Sequence, residues 1–196
     1  MPPSDGKFLD ALQAFANDLK ASYGSLVAAQ QEDQLKGPTG DLLSGFGTEF
    51  GLNVIPRFEA PVRGVGRPDI ALDVGGALCG YVALTAPQVS VRNLRGRDRE
   101  QFNKFKTLPN LVYTNGNEWI LYQDGEKKQT VRLSGDVTED GAGAVEERNA
   151  ERLWPSTVRT RTPGSTSTKT SSPLTTGSSG GMRASTIRPS RSSGRR

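Results

Sequence analysis

The residue types available for catalysis are limited in this sequence, because its 196 residues include no histidine and a single cysteine, Cys79. The lack of histidine excludes serine–histidine nucleophiles, histidine-ligated zinc and histidine general bases. One cysteine excludes an intrachain disulfide and a CxxC metal or redox site. Carboxylates remain, and Asp69 follows Pro68 at the start of a predicted strand. Carboxylate oxygens can hold Mg²⁺, which lowers the pKa of a bound water and offsets charge on a phosphodiester.

The stretch 66–87, GRPDIALDVGGALCGYVALTAP, resembles the layout of the PD-(D/E)xK nucleases. In that chemistry two carboxylates on neighbouring strands meet at one metal ion. A lysine two residues beyond the second carboxylate shares its face, because strand side chains alternate. The resemblance makes Asp69 the first carboxylate, and implies a second where the chain has Ala83 and the lysine where it has Thr85. A methyl group cannot bind a metal and a hydroxyl carries no positive charge, so both catalytic positions are expected to be vacated.

Several blocks around this slot resemble the N-terminal nuclease domain of fused restriction–modification proteins. In these bacterial proteins (type ISP enzymes and relatives) that domain precedes an adenine-specific DNA methyltransferase. The resemblance covers roughly residues 25–150 and includes the family's strand frame Gly-Tyr-Ile/Val-Glu-x-Lys-x-Pro, from which Ala83 and Thr85 depart. The sequence contains no methyltransferase catalytic tetrapeptide and no glycine-rich S-adenosylmethionine loop. The matching residues are Gly80, Tyr81, Val82, Leu84, Pro87 and the segments 108–111, 113–116 and 118–119.

The resemblance implies two further site residues. The segment 32–36, EDQLK, is similar to the family's acidic first-helix stretch, which makes Glu32 a candidate outer metal ligand. Gln101 falls where such nucleases often place a glutamine in the helix after the lysine, so it is a candidate for positioning substrate. Asp69 and Glu32 alone are too few ligands for Mg²⁺, which gives up its waters reluctantly. We therefore expect no resident cofactor, and Mg²⁺ as the cofactor of any nuclease activity that remains.

A basic run directly follows the predicted nuclease strand. Arginine suits backbone phosphates, so the run is a candidate DNA-binding patch beside the vacated site. The alternative interpretation is a solvated loop and helix face. The run comprises Arg92, Arg95, Arg97, Arg99, Lys104 and Lys106.

Apolar periodicity predicts helices first and then a sheet. A stripe from Phe8 to Leu26 predicts the first helix, and a second is predicted from about Gln31, interrupted at Gly37-Pro38. Strands are predicted over 52–58, 70–74, 77–85, 111–113, 119–122 and 128–133, with a loop over 88–99 and a short helix over 102–108. Turns are predicted at 75–76, 115–116 and 124–125. This order predicts an α/β fold, a restriction-endonuclease-like mixed sheet flanked by helices, with a disordered C-terminal tail.

The charge of the chain changes abruptly at Pro155. Residues 1–154 hold 17 Lys and Arg against 21 Asp and Glu, whereas residues 155–196 hold eight Lys and Arg, no acid, and 20 Ser and Thr. Such a segment cannot bury enough apolar surface to offset the entropy of ordering it. We predict a folded domain over 1–154 and a disordered basic tail over 155–196. The tail is either a natural arm that attracts nucleic acid or a frameshift product, which translation of the downstream DNA in the other frames distinguishes.

The same features bound the function. The N-terminal segment MPPSDGKFLD has no apolar core of a signal peptide, and roughly eighteen apolar residues never run together, so we expect a cytoplasmic location and no membrane partner. The sequence predicts an inactive nuclease-like domain, not an enzyme, that contacts DNA or docks to methyltransferase or other restriction–modification subunits. Two alternatives stay open: an active Mg²⁺-dependent DNA endonuclease with replacement ligands, and a non-functional truncated fragment.

Overall fold

The computed structural model describes residues 5–25 and 31–158, with side chains described for 6–25 and 31–153. Six strands form one mixed sheet in the order β1-β2-β3-β4-β5-β6, and helices flank it, which confirms the predicted α/β class. The strands are β1 Val54–Phe58, β2 Ile70–Val74, β3 Ala77–Leu84, β4 Leu111–Thr114, β5 Glu118–Gln123 and β6 Glu126–Arg132. The helices are α1 Asp5–Tyr23, α2 Gln31–Glu49, α3 Gly96–Phe105, α4 Val137–Asp140 and α5 Glu147–Val158, with a 3-10 turn at Gly141–Ala144.

Hairpins build most of the sheet, and one crossover joins its two halves. Strands β1, β2 and β3 pair antiparallel in succession, as do β4, β5 and β6. Strands β3 and β4 are parallel, so the chain must cross over between them, and it does so through a segment that contains α3. The predicted turns at 75–76, 115–116 and 124–125 join the antiparallel pairs, and each contains a glycine with positive φ.

Residues 80–84 of strand β3 are buried on both faces and separate two apolar cores. Val82 and Leu84 belong to the core beneath α1 and α2, whereas Tyr81 and Ala83 belong to the core beneath α3. This alternation follows from the two-residue period of a strand. Position 83, the vacated carboxylate position, therefore faces the α3 side of the sheet.

Helix α2 runs without a break through Gly37 and Pro38, where the sequence predicted an interruption. Proline removes one helical hydrogen bond and so disfavours a helix interior. The apolar residues before and after it nevertheless share one buried face: Leu35, Leu42, Leu43 and Phe46. Packing of that face in the core beneath α1 and α2 outweighs the local break, since tertiary packing supplies most helix stability in proteins.

The other element boundaries differ slightly from prediction. Strand β1 begins at Val54 instead of residue 52, and α3 begins at Gly96, inside the predicted loop. Helices α4 and α5 were not predicted. Helix α5 extends to Val158, past the predicted domain end at 154, while residues 159–196 lie outside the described part of the chain. The disordered tail and its frameshift origin therefore stay predictions. Among the described helices, none is both long and apolar enough to cross a membrane.

Candidate functional site

The candidate site lies at the edge of the sheet where β1 ends and β2 begins. Phe58 pairs with Ile70 in the β1–β2 register, so the next residues outward, Glu59 and Asp69, are adjacent. The Glu59 N–H donates to the Asp69 carbonyl oxygen at 2.9 Å. Glu59 has a φ of 55°, a left-handed conformation uncommon for a residue with a side chain. The hairpin thus brings together two carboxylates that are distant in the sequence.

The Asp69 carboxylate is already bonded within the protein. The Leu84 N–H at the end of β3 donates to its Oδ2 at 2.8 Å, and Lys36 Nζ lies 3.7 Å from its Oδ1. Burial raises the pKa of Asp69, and the Leu84 N–H and the Lys36 charge offset part of that rise. Asp69 therefore fixes the start of β2 to the end of β3.

Ala83, which the resemblance predicts to be a vacated carboxylate position, lies next to Asp69 in the sheet. Ile70 pairs with Val82, and one further step of the same antiparallel register places Asp69 opposite Ala83. Ala83 also pairs with Tyr113 on the parallel side, so Asp69, Ala83 and Tyr113 occupy neighbouring positions in a row across three strands. Ala83 is fully buried, and Thr85 is buried with a hydroxyl that has no hydrogen-bond partner. Asp69 and Ala83 are therefore neighbours in the sheet, while their assignment as nuclease positions stays a prediction.

Lys36 of α2 is the cation of this site. Its ammonium donates to Asp33 Oδ1 at 2.7 Å and to Glu59 Oε1, in addition to its contact with Asp69. Partial burial lowers the pKa of Lys36, but these carboxylates outweigh burial and hold the pKa above its usual value. The side chain is 19% exposed, so one largely enclosed ammonium contacts three acids and offsets part of their charge.

Two more carboxylates act electrostatically on the same region. Burial raises the pKa of Glu32, and the negative charges of Asp69 and Asp98 raise it further. Burial likewise raises the pKa of the Tyr113 hydroxyl, with Asp98, Asp69 and Glu32 adding to the rise. Asp98 of α3 and Asp69 therefore both act electrostatically on Tyr113 and on Glu32, which was predicted as an outer ligand.

These donors do not fit a Mg²⁺ ion. Across residues 5–25 and 31–158, no three His, Cys, Asp or Glu side chains are arranged to hold a metal. The oxygens of Asp69 already contact Lys36 and the Leu84 N–H, and Ala83 offers no oxygen. Magnesium needs near-octahedral oxygen coordination and keeps its waters unless carboxylates replace them. The cation that the structure shows beside Asp69 is the Lys36 ammonium.

The predicted basic run divides between two places. Arg92 lies in the loop before α3, where its Nε is 3.2 Å from Glu118 Oε1. Gln101 is half-buried on α3, one turn after Asp98. All but one of the remaining residues of the run are exposed: Arg95, Arg97, Arg99 and Lys104. The exception is Lys106, which is half-buried at the C-terminal end of α3.

Sequence reasoning missed Lys36, Glu59 and Asp98. Glu59 could have been found from the hairpin, because residues just outside two paired strand ends must be neighbours. Lys36 lies in the quoted segment 32–36 but carries no local signal, since its partners come from three different elements. Asp98 was hidden within a run that was interpreted by its positive charges.

Comparison with known proteins adds information about the fold. No protein family model matches the sequence, and no curated protein matches it. Among solved structures, the chain is similar to one in the cryo-EM structure of a DrdV–DNA complex. The TM-score is 0.51 with 18% identity, and the match covers 74% of this chain and 94% of that one. The two chains therefore share a fold, and the other chain comes from a structure solved as a complex with DNA.

Proposed function

We propose that this chain is a nuclease-like domain that contacts DNA but no longer cleaves it, derived from a bacterial restriction–modification protein of the methyltransferase-fused type. The similarity to a chain of a DrdV–DNA complex supports the nucleic-acid part of this proposal. The resemblance of the segments around Asp69 supports the restriction–modification part. A methyltransferase or another restriction–modification subunit is the proposed protein partner, and the cytoplasm the proposed location.

The observation that carries the loss of activity is the ion cluster around Lys36. Its ammonium contacts Asp33, Glu59 and Asp69 and offsets part of the negative charge that would attract a divalent cation. A metal ion entering there would meet a like charge a few ångströms away and would have to displace the Leu84 N–H from Asp69. With Ala83 opposite Asp69, position 83 supplies no carboxylate to offset that cost.

An active endonuclease with replacement ligands is the alternative that a specific observation favours. Glu32 and Asp98 both lie close enough to Asp69 or Tyr113 to raise a neighbouring pKa. A rearrangement that swung Lys36 aside would leave several carboxylates around one point, and Mg²⁺ would then be the cofactor.

A plasmid-nicking assay with Mg²⁺ and Mn²⁺ separates these two functions. We expect the full chain to cleave no faster than its Asp69→Ala variant. Asp73→Ala is the matched control, because Asp73 lies on the same strand but pairs with Arg57 away from the site. Cleavage by the wild type and by Asp73→Ala, but not by Asp69→Ala, would establish the endonuclease alternative.

A mobility-shift experiment tests DNA contact itself. Residues 1–158 retain helix α5 and omit all eight Lys and Arg residues that follow residue 154. We expect this fragment, once shown to be folded by circular dichroism, to bind duplex DNA more weakly than the full chain but measurably. Loss of all binding in a folded 1–158 fragment would assign the DNA affinity to the tail and reject the domain's role.

A further inference from the structure

A polar cleft of about 520 Å³ opens beside the β4–β5 turn, away from the Lys36 cluster. Its walls come from the loop after β3, the start of β5 and the segment after β6. Thr114 at the end of β4 pairs with Leu84, whose N–H bonds to Asp69, so the cleft and the vacated site lie at one edge of the sheet. The residues that matter here are Ser90, Asn117, Glu118, Arg132 and Asp136 in the wall, with Arg92 at the rim.

One buried carboxylate holds two arginines at this cleft. Glu118 is 8% exposed, and its Oε2 accepts a hydrogen bond from Ser90 Oγ at 3.1 Å. Its Oε1 lies 3.2 Å from Arg92 Nε and 3.9 Å from Arg132 Nε. Within the described part of the chain, neither guanidinium has another acidic partner. Glu118 therefore brings two guanidiniums to one point while they remain 49% and 69% exposed.

The nearest nitrogen of each arginine to Glu118 is Nε. Within the described residues, the terminal nitrogens of Arg92 and Arg132 contact no other acid. A planar guanidinium bonds two oxygens of a phosphate at once, and two anchored guanidiniums lose little further entropy on doing so. We propose that Arg92 and Arg132 together clamp one phosphodiester of the DNA backbone in this cleft. This inference rests on the proposed DNA-contact function and assigns it a site.

The second acid of the cleft favours a singly charged ligand. Asp136 lines the wall, and its Oδ1 accepts hydrogen bonds from Thr138 N and Oγ1 at 2.9 and 2.8 Å, as the N-cap of α4. Its charge opposes a dianionic terminal phosphate more than a monoanionic diester within a strand. Asn117 adds a neutral amide to the wall.

The position of the cleft suits a duplex that passes the vacated site. Three strand spacings separate β2, which carries Asp69 at its start, from β5, which begins at Glu118, or roughly 14 Å across the sheet. At 3.4 Å per nucleotide along one strand of B-DNA, that is about four nucleotides. A backbone that lay against Asp69 would therefore place another phosphate at the arginine pair.

Fluorescence anisotropy of the full chain with a labelled duplex, at several salt concentrations, tests this clamp. The variants are Arg92→Ala, Arg132→Ala and both together, the last combined with Glu118→Gln so that no unpaired buried charge remains. Arg148→Ala is the matched control, because Arg148 is an exposed arginine of α5 paired with Glu146. Asp136→Asn keeps a capping oxygen while removing the opposing charge, and the basic tail is common to all proteins.

We expect each single arginine variant to bind DNA about tenfold more weakly and to lower the slope of log affinity against log salt by about one. The multiple variant should lower that slope no further, because both arginines hold the same phosphate. Asp136→Asn should tighten binding, and Arg148→Ala should match the wild type. Two results would overturn the clamp. One is that the wild type binds DNA and neither single arginine variant changes the affinity. The other is that the multiple variant lowers the salt slope by two. No DNA binding by the wild type would overturn the proposed function itself.

Discussion

Lys36 Nζ and Asp69 Oδ1 lie 3.7 Å apart, although one comes from a helix and the other from the start of a strand. This contact places a permanent positive charge beside the acid that the sequence identifies as the remnant of a metal site. Asp33 and Glu59 complete the cluster, so the protein supplies its own counter-ion there. The proposed loss of a carboxylate at 83 and of a lysine at 85 would thus be accompanied by a third feature that disfavours metal.

Replacing the central cation tests the electrostatics of the cluster. Lys36→Met should lower the free energy of unfolding by about 1–2 kcal/mol at neutral pH, because charged hydrogen bonds are lost in a half-enclosed site. Asp69, whose pKa is already raised, should rise further without Lys36. A carboxyl with a raised folded-state pKa loses stability as pH climbs from its unfolded value near 4 through the folded pKa. The free energy of unfolding of the variant should therefore lie further below that of the wild type at pH 7.5 than at pH 4.5.

Urea unfolding at the two pH values measures this difference. Lys7→Met is the control, since Lys7 is 62% exposed and pairs with Glu49 at the surface. Lys7→Met should lower the free energy of unfolding only slightly at either pH. An equal loss for Lys36→Met at both pH values would contradict the proposed coupling of Lys36 to Asp69.

Thr85→Val should stabilise the protein by about 1 kcal/mol. The Thr85 hydroxyl is buried and unpaired, and an unsatisfied buried polar group is costly, whereas a methyl group in its place is not. Thr114→Val is the matched control, because the Thr114 hydroxyl is also buried but accepts the Gly116 N–H at 3.0 Å. It should destabilise by a similar amount. Thermal melts measure both, and a lower melting temperature for Thr85→Val would mean that its hydroxyl is bonded after all.

Gly80→Ala should destabilise the parallel β3–β4 pair by about 2 kcal/mol or more. A Cβ at position 80 would lie 2.6 Å from the carbonyl oxygen of Asn110, which also accepts the Tyr81 N–H at 3.0 Å. That oxygen belongs to the backbone and cannot move without breaking the pairing. Gly45→Ala serves as the control, because nothing lies within 4 Å of its Cβ position and alanine favours a helix interior. Denaturant unfolding should give opposite signs for the two changes, and equal signs would contradict the close approach.

The sheet and its hairpins were predictable because their signals are local. Glycine pairs and Asn-Gly or Asp-Gly steps defined the turns, and alternation defined β2 and β3. The opposition of Asp69 and Ala83 followed from the same hairpin. The continuity of α2 through Pro38 was not predictable, because it depends on packing in the core beneath α1 and α2.

The electrostatic partners were also beyond local patterns. Lys36 meets acids from its own helix, from the end of β1 and from the start of β2, and such a set appears once the fold is known. The pairing of Arg92 with Glu118 likewise joins distant segments, so the sequence placed Arg92 in one patch with residues of α3. The residue types indicate which charged groups are present, whereas the fold determines which of those groups contact one another.

The most direct test of the central claim restores the two missing residues. The variant Ala83→Glu with Thr85→Lys places a carboxylate opposite Asp69 and an amine two residues further along the same strand face. We predict that it gains Mg²⁺- or Mn²⁺-dependent nicking of plasmid DNA, and that adding Asp69→Ala abolishes the gain. A double variant that is folded by circular dichroism, yet cleaves no faster than the wild type, would contradict the identification of this slot as a vacated nuclease site.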